Sequence, residues 1–253
     1  KILEEQYNPD ELEAFQNIKL PDSLIKISKG KDHKFFSFLI PFLQLGYGKL
    51  QEYIHKNEKV ITDSATDAIL SALVEQLLRL SIRTLILELN VERVSGTLKG
   101  STPEERYHFF NDILLKDKEF VQKIYDEYPL LVRLLLTTAS RWACNVSEII
   151  NNYCNDKKKL GETFGIDEGA CIELIKLGTG DLHKKGKSVA HLKLTDGTKI
   201  VYKPRSLKLD VNFQELLEWL NNKNLAHSLY KTKIVLRDDY GWVEFIEPSS
   251  CQK

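Results

Sequence analysis

The chain has no methionine, not even at position 1, so its 253 residues are expected to be a piece of a longer protein. Cysteine is scarce and scattered. Cys144, Cys154, Cys171 and Cys251 form no Cys-x-x-Cys pair, and no histidine stands at ligand spacing from any of them. That argues against a zinc site, so no metal ligand is assigned, and it fits reduced thiols better than a disulfide framework. Net charge is missing too, since 36 Lys+Arg balance 36 Asp+Glu. A neutral chain has no global attraction to nucleic acid or to an anionic membrane. No apolar run reaches membrane-spanning length, and the opening KILEEQYNPDE lacks signal-peptide character. The expected compartment is the cytoplasm, with no nucleic-acid partner and no transmembrane segment.

What is present is enough apolar residue, 42% of the chain, for a real core. Tyr7–Phe15 and Phe35–His55 read as helices. Ser64 or Asp67 can cap a long amphipathic helix toward Val91, carried by Ile69, Leu70, Leu73, Val74, Leu77, Leu78, Leu80, Ile82 and Leu85. Thr102-Pro103-Glu104-Glu105 is a strong helix start, with an N-cap threonine, proline at the first position and glutamate three residues after the cap. Further helices are expected at about 117–127, 129–140 and 146–160. Near Gly161–Gly169 the composition shifts to strand-prone residues, with one more helix at Asp210–Asn222 and a hairpin through Ile234–Glu247. The fold class is therefore α+β. Residues 1–165 read as a helical region and 166–253 as a small lobe of antiparallel sheet plus one helix.

Within that lobe, LIKLGTGDLHKKGKSVAHLKLTDGTKIVYKPR, residues 174–205, carries the chemistry. Lys176 to Lys208 holds nine Lys/Arg against two Asp, a concentration suited to a polyanionic ligand. Gly178, Gly180 and Gly186 allow the backbone to approach an anion closely, and inward-turned backbone N–H groups make an anion-binding concavity. Ser188 closes the same segment. GDLHKKGKS, Gly180–Ser188, nearly matches the phosphate loop of P-loop NTPases but separates its glycines by five positions instead of four. A helix should follow a P-loop. Here Ala190, Leu192 and Leu194 alternate with His191, Lys193 and Thr195, which is strand periodicity, and Asp196-Gly197 adds a hairpin turn.

Strand, glycine loop, strand, strand bearing Lys203, helix, then two strands is the order of a protein-kinase small lobe. In kinases the strand-three lysine reaches the phosphates and pairs with a helix glutamate. Glu215 and Glu218 are the candidates, with Glu215 nearer the helix start. Asp181 and His183 are unusual in a phosphate loop, because a carboxylate beside a triphosphate costs free energy unless paired or metal-bridged. His183 can move a proton near neutral pH, which points to chemistry beyond phosphoryl transfer. His191, His108 and His227 read as structural or surface residues.

Together GDLHKKGKSV from Gly180, DGTKIVYKPRSL from Asp196 and YGWVEF from Tyr240 resemble the dehydratase domain of class II lanthipeptide synthetases. Glu92-Arg93, Gly96, Leu98, Gly100, Thr102, Arg106-Tyr107, Phe110 and Tyr128-Pro129-Leu130 are similar to that family's helical N-terminal region. The resemblance implies ATP- and magnesium-dependent phosphorylation of Ser and Thr in a ribosomally made, leader-bearing precursor peptide. Phosphate elimination to dehydroalanine or dehydrobutyrine follows. It places Lys203 in phosphate binding and Asp181 and His183 in the active-site loop. A kinase-like large lobe, with the magnesium ligands, is expected beyond Lys253, as are the elimination residues and a zinc-bearing cyclase. These residues alone are accordingly expected to be inactive as a dehydratase. Two alternatives remain: a non-catalytic peptide-binding scaffold, and an unrelated kinase-like phosphotransferase.

Overall fold

The computed structural model describes residues 10–28, 35–54, 60–178, 187–223 and 227–247. Helices precede strands: α1 (Asp10–Phe15), α2 (Asp22–Ser28), α3 (Phe36–Ile54), α4 (Asp63–Val94), α5 (Pro103–Asp112), α6 (Lys118–Glu127) and α7 (Pro129–Phe164), then β1 (Ile172–Lys176), β2 (Ala190–Leu194) and β3 (Lys199–Lys203). Helix α8 (Lys208–Asn221) and strands β4 (Ile234–Leu236) and β5 (Gly241–Glu244) complete the order. This is the α+β class read from the sequence. No helix among the described residues is long and apolar enough to cross a membrane.

Two helices differ from expectation. Helix α7 is continuous over 36 residues where two helices, broken near 140–146, were expected. That stretch holds neither Gly nor Pro, and Trp142, Ala143 and Val146 are buried, so packing carries the helix through its weaker formers. Helix α4 is capped by Thr62 instead of Ser64 or Asp67. The Ala65 N–H donates to Thr62 Oγ1 at 3.2 Å, which satisfies a first-turn donor. The Thr102 start behaves as read: the Glu105 N–H donates to Thr102 Oγ1 at 3.1 Å, and Glu105 Oε2 accepts from the Thr102 N–H.

The chain divides into two compact units, residues 1–55 with 70–146 and residues 56–69 with 147–253. In the first, α3 buries Phe38, Leu39, Phe42, Leu43 and Leu45. Phe35, Phe38 and Phe42 meet Tyr107, Phe110 and Tyr125, mostly edge-to-face at centroid distances of 5.6–6.0 Å, the geometry that ring quadrupoles favour.

The second unit holds a five-stranded antiparallel sheet in the order β1-β2-β3-β5-β4. Period-two burial along β2 puts Ala190, Leu192 and Leu194 on one face, and β3 adds Ile200 and Tyr202 to it. Asp196-Gly197 makes the β2–β3 turn, with Gly197 at φ 87°, where only a residue lacking Cβ is unstrained. Asp196 fixes this turn by accepting the Thr198 and Asp167 N–H groups at 2.8 and 3.0 Å. Burial would raise its carboxyl pKa, but these hydrogen bonds outweigh it and hold the group below its ordinary value.

Gly241 pairs with Lys203 across β3–β5. A Cβ there would lie 2.4 Å from Leu207 Cδ1 and 2.9 Å from the Val235 carbonyl oxygen. Leu207 is fully buried and the carbonyl is backbone, so neither yields freely. Gly241→Ala is expected to destabilise the chain by about 1–3 kcal/mol through overpacking, read as a lower urea midpoint at an unchanged slope.

Candidate functional site

Strands β1 and β2 pair antiparallel, with Lys176 opposite His191 and Ile175 opposite Leu192. The glycine-rich segment therefore joins two antiparallel strands, and no helix follows Lys187. That geometry excludes the P-loop alternative. At the loop base Gly178 has φ 73°, and its N–H donates to Ser188 Oγ at 2.9 Å. Gly180, Asp181, His183 and Gly186 lie outside the described residues.

Lys203 ends β3 on the face opposite Tyr202 and Ile200. Its ammonium lies 3.3 Å from Asp210 Oδ1, in the first turn of α8. Arg205, two residues after Lys203, takes the same carboxylate as a fork: one guanidinium nitrogen donates to Oδ2 at 2.7 Å and the other to Oδ1 at 3.1 Å. Burial of the Asp210 carboxyl would raise its pKa, but the Arg205 and Lys203 hydrogen bonds prevail and hold it below the usual carboxylate range. The Asp210 hydrogen bond in turn raises the Arg205 guanidinium.

The carboxylate at Lys203 is thus not one of the two glutamates weighed from the sequence. Glu218 pairs with Lys231 at 2.8 Å, and Glu215 is exposed. The reason lies in the helix start. Helix α8 begins two residues before Asp210, so its first turn, not its middle, lies beside the end of β3.

Two further carboxylates, both on α7, had no local signal. Glu148 receives Lys187, from the stem of the glycine-rich segment, at 2.5 Å, and also the Tyr202 hydroxyl at 3.1 Å. Asn152 Nδ2 donates to the same tyrosine oxygen at 3.0 Å. Burial, and then the negative Glu148, raise the Tyr202 phenol. Asp156 is buried and accepts four donors: Arg237 Nε at 2.7 Å and its terminal nitrogen at 2.6 Å, the Tyr240 hydroxyl at 3.0 Å and Trp242 Nε1 at 2.8 Å. Burial and the Asp156 hydrogen bond push the Tyr240 phenol up to about 12. The Tyr-Gly-Trp motif therefore has a packing account: its two rings hold a buried carboxylate, and its glycine admits Leu207.

His191 packs edge-on against Phe245 at 5.3 Å, and burial lowers its pKa, with Lys176 adding to the effect. Its reading as a structural histidine agrees with this position. Among the described residues no group of three His, Cys, Asp or Glu could hold a metal ion. Two cations beside one half-buried carboxylate leave a net positive charge at the end of β3, which fits an anionic group such as a nucleotide phosphate.

Residues 128–253 match the protein family described as "Domain of unknown function (DUF4135)". Over 202 residues the chain is 30% identical to the "Lacticin 481/lactococcin biosynthesis protein LcnDR2" of Lactococcus lactis subsp. lactis. That alignment covers 77% of this chain and 21% of the relative, so the chain spans about a fifth of the length of the curated relative it matches. The resemblance to class II lanthipeptide synthetases read from the motifs is borne out.

Proposed function

From a chain that resembles class II lanthipeptide synthetases and aligns over most of its length with a lacticin 481/lactococcin biosynthesis protein, we propose that it forms the ATP-binding part of a cytoplasmic peptide dehydratase. The substrate is a ribosomally made precursor peptide with a leader. A Ser or Thr hydroxyl gives up its proton to a base as its oxygen attacks the γ-phosphorus of ATP, the bond from that phosphorus to the β-phosphate oxygen breaks, and ADP leaves. A base then removes the Cα proton of the phosphorylated residue. The Cβ–O bond breaks, phosphate leaves, and dehydroalanine or dehydrobutyrine remains.

In this reading Lys203 meets the phosphates as a point charge. Gly178, Gly180, Gly186 and Ser188 shape the loop that covers them, and Asp181 and His183 serve the reacting end of that loop. Magnesium, held by residues outside this chain, would neutralise phosphate charge. The observation that carries the proposal is the antiparallel β1–β2 hairpin beside a β3 that ends in Lys203. Glu215 belongs to the expected nucleotide site only through the lysine pair, and that place is held by Asp210.

The test is mass spectrometry of a Ser/Thr-bearing precursor peptide incubated with the full-length protein, ATP and magnesium. The peptide should lose one water mass per modified residue, with a phosphorylated intermediate detectable at short times. An unmodified peptide that still binds the protein would favour the scaffold reading and refute this one.

A further inference from the structure

We infer that Asp210 is the positioning carboxylate of Lys203, and that Arg205 sets how much of the lysine's charge is left for the nucleotide. This deepens the ATP-binding reading and rests on it. The three side chains form one cluster: Asp210 is 20% exposed, Lys203 26% and Arg205 45%. Pro204 lies between the two cations, and the Arg205 N–H donates to the Lys203 carbonyl oxygen at 2.9 Å, so backbone geometry holds them together.

The division of Asp210 is unequal. Its two oxygens are both engaged by the planar Arg205 fork, whereas Lys203 keeps a single contact at 3.3 Å. An ammonium carries three donors, so Lys203 is located by the carboxylate without being neutralised by it. Arg205 draws the negative charge toward itself. Were it absent, both Asp210 oxygens would be free to close on Lys203, and an arriving phosphate would have to compete with a tight ion pair. Lysine in place of Arg205 would keep the charge but lose the fork, because it offers a point charge and no planar bidentate face.

The placement on α8 supports the same assignment. Asp210 lies in the first helical turn, where the backbone N–H groups and the helix dipole favour a negative side chain. The helix start favours the carboxylate's charge there, while Arg205 holds its two oxygens. Glu215 is exposed, and Glu218 is engaged with Lys231.

The experiment measures KM for ATP and kcat for peptide phosphorylation in the full-length protein, with thermal unfolding recorded on the same samples. Asp210→Asn is expected to raise KM for ATP about tenfold, the scale of one lost hydrogen bond to a charged group, with an unfolding midpoint close to the parent's. Arg205→Lys should raise KM several-fold despite its retained charge. Asp210→Glu should recover part of the loss, and Glu215→Gln should match the parent. If Asp210→Asn fails to fold, Arg205→Lys and Asp210→Glu decide. Parental KM in Asp210→Asn and Arg205→Lys, or a loss produced by Glu215→Gln, would overturn the inference while Lys203→Ala still impairs phosphorylation and the ATP reading stands. Unimpaired phosphorylation in Lys203→Ala would sink the ATP reading itself, and this inference with it.

Discussion

Lys203→Ala in the full-length protein is expected to lower the rate of Ser/Thr phosphorylation by roughly 10²–10³-fold, the scale of removing one preorganised charge-stabilising donor. The side chain stands at the end of β3, on the half-open face of the sheet, with its neighbours Val201 and Lys199 on that same face. Its partner across the sheet is Gly241, which presents no side chain. Lys203→Arg should recover little, because a guanidinium spreads its charge over a plane and would compete with Arg205 for Asp210. Peptide binding should persist in both variants, since the substitution removes one cation from the site proposed to hold phosphate. The decisive comparison is between phosphorylation and peptide capture. Loss of the first with retention of the second identifies a nucleotide site. Equal water loss from the peptide in the variant and the parent would remove Lys203 from the chemistry.

The parts of this site that could be read from sequence are those set by neighbours in the chain. The β2 alternation, the Asp196-Gly197 turn and the Thr102 start each follow from residues within four positions of one another, where local hydrogen bonding and side-chain period decide the outcome. The place of Lys203 on the third strand follows from the same local order. Pairings across the chain were not legible. Asp210 takes the place weighed for Glu215 because the first turn of α8, and not its middle, lies beside the end of β3. Glu148 and Asp156 meet partners 54 and 81–86 residues away, and in sequence they look like any charge on an amphipathic helix. The Tyr-Gly-Trp run could be read as a family motif, but not as two hydrogen-bond donors to a buried acid. The unbroken course of α7 was hidden for a related reason, since Trp142 and Val146 are weak helix formers until burial holds them.

Asp156→Ala is expected to destabilise the chain by about 3–5 kcal/mol, the cost of removing one partner from a buried ion pair. The carboxylate is 3% exposed, and all its neighbours in the cluster are donors, so nothing nearby can replace it. Arg237 is 31% exposed and can turn part of its guanidinium to water. Trp242 cannot: it is fully buried, it packs on Tyr153 and Tyr202, and its indole N–H would be left without an acceptor. Asp156→Asn should be nearly as damaging, because its amide N–H groups would face donors and its single carbonyl oxygen must serve four of them. Glu148→Gln, at a carboxylate about a third exposed, should cost far less, since water can reach the groups it leaves. Urea unfolding of the three variants ranks them directly. A loss at Asp156→Ala no larger than that at Glu148→Gln would mean that the four donors find other acceptors, and that the carboxylate is not what fixes the β4–β5 hairpin.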